Sequence, residues 1–146
     1  MTKKLILATL AGSVVQFLLG WLIYGLLLAN FMNSHMTHKY EGLMKDMNSG
    51  SFIILIFISG LLMSFLIAFI FQRWAKFDKF FMGLTAGMLI GLFFALTYDV
   101  SGYAMMNMFS VTVIIVDVIV ATIITGIVGG VIAWVLGFKS KMAPAQ

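Results

Sequence analysis

Four apolar runs, at about 5–31, 51–71, 80–98 and 109–138, are separated by three short polar stretches. None of them alternates polar with apolar positions, as a half-buried strand would. Each reaches the roughly 20 residues that carry a helix across about 30 Å of hydrocarbon. A transmembrane barrel would need at least about eight alternating strands. The pattern therefore predicts an all-α fold: residues 1–146 as a single integral membrane domain, built as a transmembrane four-helix bundle. At 1.5 Å per residue the first and fourth runs would extend about 40 Å, so they must tilt or project beyond the outer surface. The short second loop predicts a tight antiparallel hairpin between spans two and three.

Composition agrees with a membrane setting. Of the 146 residues 62% are hydrophobic and only 10% charged, and the mean hydropathy is +1.11; a soluble domain carries about a quarter charged residues. Lys3 and Lys4 precede the first run as the basic region of a signal peptide would. That run is longer than the roughly 7–15 apolar residues of such a peptide and has no small-x-small cleavage site, so it is read as a retained span. The chain has no cysteine, which excludes disulfides, thiolate metal sites and a cysteine nucleophile.

The net charge of +4 does not imply nucleic acid, because the basic residues cluster at the ends of the apolar runs. Lys3, Lys4, Arg73, Lys76, Lys79, Lys139 and Lys141 fall on one side. Lys39 and Lys45, offset by Glu41 and Asp46, fall on the other. The positive-inside rule then predicts both termini and the second loop on the cytoplasmic side. Trp74 and Trp134 come near the inner boundary and Tyr24, Tyr98 and Tyr103 near the outer one, where amphipathic aromatics collect.

Hydrophobicity does not hold helices together inside lipid, so small residues that allow close approach must do so. Span three carries Gly83, Gly87, Gly91 and Ala95 at four-residue spacing. Span four carries Thr122, Gly126 and Gly130, with Gly129, Ala133 and Gly137 on an adjoining face; span two offers Gly60, Ser64 and Ala68. A shift of 75 residues aligns Ala8, Gly12, Gln16 and Gly20 of span one with the ridge of span three. Packing within one bundle is expected, with a homo-oligomer seam, chiefly on span three, as the alternative. Gln16 is expected to form an interhelical hydrogen bond.

Asp117 is the acidic residue set well inside an apolar run, between 111–116 and 118–120. A charge at the bilayer centre costs at least about 2.5–3.5 kcal/mol, so such residues usually have a partner or a task. Counting about 20 residues back from Phe138 puts Asp117 near the outer edge of the hydrocarbon. The same reckoning brings Tyr24 and Asp99 to that height. A shallow outer site of Trp21, Tyr24, Tyr98, Asp99 and Asp117 follows, suited to a proton or an organic cation.

The outer loops offer a metal alternative. Met32, His35, Met36 and His38 lie in the first, with Met44 and Met47, and Met105, Met106 and Met108 in the third; thioether and imidazole ligands suit Cu(I). No cofactor is expected. No nucleotide-binding glycine loop, Ser–His–Asp order or zinc-protease helix motif occurs, so nothing points to an enzyme.

The stretch Gly20-Trp21-Leu22-Ile23-Tyr24-Gly25, four spans in about 140 residues, and an aspartate near the start of span four resemble small bacterial four-span membrane proteins. These carry a glycine–x–x–x–tyrosine–glycine signature and are classed as domains of unknown function. The resemblance implies a bacterial cytoplasmic membrane and no particular activity. Two functions are therefore expected to compete: a binder or transporter of a proton or small cationic or amphipathic ligand, and a non-catalytic scaffold that docks a membrane partner or a second copy.

Overall fold

The computed structural model describes residues 3–37 and 49–138. His38, Lys39, Glu41, Met44, Lys45, Asp46, Met47, Lys139 and Lys141 lie outside the described residues. Among the described residues, four helices are long and apolar enough to cross a membrane: Lys3–Leu27, Gly50–Ala75, Phe80–Met105 and Val111–Phe138. No strand occurs among the described residues. The all-helical, four-span membrane fold is the one the apolar runs predict.

The first span is not one uniform helix. Helix α1 (Lys3–Gly20) passes into a π-helical stretch, Trp21–Leu27, and a short helix α2 (Ala29–Ser34) follows. The π-helical stretch ends where the Leu28 amide donates to the Ile23 carbonyl at 2.7 Å. Helix α3 (Gly50–Ile70) starts at Ser49, whose hydroxyl accepts from the Phe52 amide at 3.3 Å, the usual way a serine satisfies a free helical donor. A second π-helical turn, Phe71–Ala75, ends it at Lys76, which adopts a left-handed conformation (φ 50°). That residue reverses the chain into helix α4 (Phe80–Met105). Helix α5 (Val111–Phe138) begins beside Ser110, whose hydroxyl accepts from the Val113 amide at 3.4 Å.

Helix α5 is the centre of the bundle: it packs on α4, on α1 and on α3, while α1 also packs on α3. The close approaches are made by the small residues. An alanine methyl at Gly83 would strike the backbone of Gly129 and the side chain of Ala133. One at Gly91 would lie 2.6 Å from Thr125 Cβ, and one at Gly12 2.7 Å from the Ile132 side chain. Gly126 faces Met88, and Gly130 faces the ring of Phe80. Gly83, Gly87 and Gly91 are buried against α5, and Ala95 is buried as well, so the glycine ridge of span three is filled within the chain.

Burial is uneven along the bundle. The main core, Leu5, Ala8, Ile67, Ala68, Phe71, Ile124, Val128, Ile132, Ala133 and Leu136, lies towards the end that carries Lys3, Arg73, Lys76 and Lys79. Towards the other end the π-helical stretch and α2 bury no residue, and the first half of α3 buries none. Met108, Val113 and Val118 are the buried apolar residues towards that end. There the chain is drawn together locally by an antiparallel bridge between Met36 and Phe109 and by the Thr37 amide donating to the Met108 carbonyl at 2.9 Å.

Large apolar side chains on the remaining faces are exposed, as a lipid-facing surface requires. Trp74 and Trp134 stand out at the basic end, and Trp21, Tyr98 and Tyr103 at the other.

Between α1 and α3 the Ser64 hydroxyl donates to Gln16 Oε1 at 3.3 Å. Interhelical hydrogen bonds of this kind contribute about 0.6 kcal/mol on average, so Gln16→Leu and Ser64→Ala should each lower thermal stability only slightly. A double-mutant cycle should return a coupling near that value. Gly20 and Gly102 border open space. Alanine at either should leave the melting temperature unchanged or raise it by the equivalent of at most about 1 kcal/mol, through reduced backbone freedom in the unfolded chain.

Candidate functional site

At the end of the bundle opposite the basic residues, three polar side chains from three helical segments meet. The ridge of α4 explains the first. Gly83, Gly87, Gly91 and Ala95 face α5 at four-residue intervals, and Asp99 occupies the next position of the same series. Because α4 continues past Tyr98 to Met105, the ridge face continues too, and Asp99 is turned to α5. Its partner there is Asp117, whose carboxyl it meets.

Span one supplies the third group. Ala8, Gly12, Gln16 and Gly20 are followed at the same interval by Tyr24, which the π-helical stretch presents to α5. The Tyr24 side chain lies near the Asp117 carboxyl. Asp117 of α5 is thus near both Tyr24 of the π-helical stretch and Asp99 of α4. One oxygen of Asp99, Oδ2, is enclosed and has no hydrogen-bond partner.

The two carboxyls line one cavity of about 320 Å³. Tyr98, Phe109, Val113 and Ile114 supply apolar wall, and Met32, Met105 and Met106 also border it. Every described lysine and arginine (Lys3, Lys4, Arg73, Lys76 and Lys79) belongs to the opposite end of the bundle. Two acidic groups therefore face each other in a partly enclosed, low-dielectric space with no described cationic side chain beside them. Their repulsion is relieved when a proton or another cation sits between them.

Of the five residues expected in the outer site, Tyr24, Asp99 and Asp117 come together. Tyr98 contributes to the cavity wall while remaining 75% exposed. Trp21 is not brought to the carboxyls: it is 60% exposed and lies against Gly25 on its own helix. Ser101 and Gly102 also line the cavity and had no distinguishing signal in the sequence. Continuation of the four-residue series past Ala95 is the signal that finds Asp99 as a facing residue.

The metal candidates are dispersed. The His35 ring stacks on Phe31 with centroids 4.3 Å apart, and its Nδ1 lies 3.0 Å from both the Phe31 carbonyl and the Ser34 hydroxyl. Met36 is engaged through its backbone in the bridge to Phe109, whereas Met32 lines the carboxyl cavity. Among the described residues no group of three or more histidine, aspartate or glutamate side chains is placed to hold a metal ion.

Compared with known families, residues 5–134, almost the whole bundle, fit the model of the predicted membrane proteins termed DUF2177. The chain belongs to the DUF2177 family. This is a family of unknown function, so membership establishes a membrane protein and leaves the role of the acidic cavity to be argued from its geometry. The matched residues include Tyr24, Asp99 and Asp117. No curated protein and no solved structure matches the chain.

Proposed function

We propose that this DUF2177 protein binds a proton or a small cation between Asp99 and Asp117, with Tyr24 fixing the geometry of Asp117. The observation that supports it is the meeting of two carboxyls from different helices in a cavity where no described cationic side chain balances them. We assign the site to the outer side of a bacterial cytoplasmic membrane, on the weight of basic residues at the opposite end of the bundle. Alternating access around Asp117 would turn binding into transport.

Tetramethylammonium binding and proton release by the full chain in lipid nanodiscs provide the test. Wild type should bind and Asp117→Asn should bind at least about tenfold more weakly; equal behaviour of the two removes the proposal.

The thioethers of Met32, Met105 and Met106 around the same cavity favour one second reading, in which the cation is soft and monovalent, such as Cu(I). Titration with Cu(I) under reducing conditions separates the two, since absence of binding leaves only protons and harder or organic cations. The scaffold alternative draws less support, because the ridge of α4 offered for docking is occupied by α5.

A further inference from the structure

The end of the bundle opposite the carboxyl cavity has a chemistry of its own. Only residues 76–79 separate the second span from the third. At no more than about 3.6 Å per residue, so short a turn cannot rise far above the membrane surface. Arg73, Lys76 and Lys79 are exposed on and beside it. Lys3 is close by, because Leu5 shares one buried cluster with Ile67, Ala68 and Phe71 and so brings the start of α1 to the end of α3. Asp78 is the one acidic residue at this end among the described residues.

The turn is held in place. A methyl added at Gly137 would strike the Asp78 carbonyl, so the turn is pressed on the end of α5. Phe77 packs edge-on against Phe71 with centroids 5.1 Å apart, and its amide donates to the Phe71 carbonyl at 3.2 Å.

Lys76 is the informative residue. It closes the π-helical turn in the left-handed region (φ 50°, ψ 40°), where glycine fits freely and a β-carbon is disfavoured. What lysine offers over glycine at that point is its charge. Next to it Trp74 is 72% exposed and stands edge-on to Phe69 at 6.0 Å, an amphipathic aromatic of the kind found where headgroups meet hydrocarbon.

We infer that Arg73, Lys76 and Lys79 form a docking surface for anionic phospholipid headgroups in the leaflet at this end. The occupant follows from the fold: the spanning helices place lipid against Trp74, and the charge of the turn selects which lipid. A zwitterionic head brings its own ammonium to three cations, whereas a phosphatidylglycerol head brings an uncompensated negative charge. Each basic side chain held near the surface favours the anionic lipid. A free phosphate shares the charge but lacks the acyl chains that hold a headgroup at this depth. The cation site at the other end plays no part in the interaction.

The test uses the full chain with Trp74 as its single tryptophan (Trp21→Phe, Trp134→Phe) in nanodiscs of phosphatidylcholine and phosphatidylglycerol. Both replaced indoles are exposed, at 60% and 55%, so the packing is kept. Bromine near the head end of the acyl chains, placed on one lipid or the other, quenches an indole in contact with that lipid. Phosphatidylglycerol should be favoured at Trp74 by at least about threefold, and less so in high salt. A chain that keeps only Trp21 (Trp74→Phe, Trp134→Phe) should show no such preference. Arg73→Gln, Lys76→Gln and Lys79→Gln should each lower the preference at Trp74 by about half or more, while Lys76→Arg should keep it. Lys76→Gly should lower it too, yet raise the melting temperature in pure phosphatidylcholine by relieving the backbone.

Equal quenching by the two lipids at Trp74 overturns the inference, and so does an equal preference at Trp21. A preference that survives all three glutamine substitutions removes it from this turn. Loss of the preference on adding soluble glycerol phosphate would show a free-phosphate site in place of a lipid one. If Lys76→Gly lowers the melting temperature equally with and without phosphatidylglycerol, Lys76 serves the carbonyl end of its own helix and has no part in the surface.

Discussion

Gly129→Ala should lower the stability of the folded bundle by about 1–3 kcal/mol, the range of overpacking in a filled interior, and Gly129→Val should prevent α4 from docking. The expectation follows from what the added carbon would meet. At Gly129 it would strike the Gly83 carbonyl and come within 2.9 Å of Gly87 Cα. At Gly83 it would strike Gly129 in return. Both obstacles are backbone, so no side chain can turn aside, and relief requires the two helices to move apart along their whole contact. Gly126 and Gly130 differ: their nearest neighbours are the flexible Met88 and the ring of Phe80, so alanine there should cost less. Thermal unfolding of the detergent-purified protein, followed by loss of monodispersity, measures the series. Because Gly83 and Gly129 resist the same approach, the double alanine variant should be less destabilised than the two single effects added. Additive losses would show that the helices are not limited by that shared contact.

The same contact decides how much of the site could be read from sequence. Four apolar runs define four helices because hydrocarbon tolerates few other backbones, and a four-residue ridge of glycines defines a packing face by periodicity alone. Where the helices end is less legible. Span three looks finished at Tyr98 because Asp99, Ser101 and Gly102 are polar or small, yet the helix continues to Met105. Its hydrogen bonds are satisfied internally whatever its side chains are, so polarity marks the level of the interface and not the end of the helix. That extension is what carries the ridge face on to Asp99. The π-helical stretch around Tyr24 has no sequence signature either, since it changes the backbone repeat by a single residue while every side chain stays apolar or aromatic. Exposure was equally hidden: Trp21 and Tyr24 are three positions apart, yet the indole is exposed and the phenol partly buried.

Asp117→Asn should weaken cation binding by about 10- to 100-fold while leaving the melting temperature unchanged or raised. Hydrogen bonds and contacts to a charged group contribute about 1.5–3 kcal/mol, which sets the binding loss. Stability should move the other way because Asp117 faces a second carboxyl. Removing one of two like charges ends their repulsion. A residue kept for binding at the expense of stability is the expected pattern at such a site. Tyr24→Phe supplies the contrast: it keeps both charges and removes the hydroxyl near Asp117, so it should weaken binding by less than the charge deletion. Asp99→Asn should resemble Asp117→Asn in binding, but Asp117 should be the more sensitive position because it lies near both partners. The measurements are cation binding in nanodiscs and thermal melts of the same preparations. A large fall in melting temperature for Asp117→Asn with binding intact would identify the aspartate as a structural tie between α1, α4 and α5 and remove it from the ligand site.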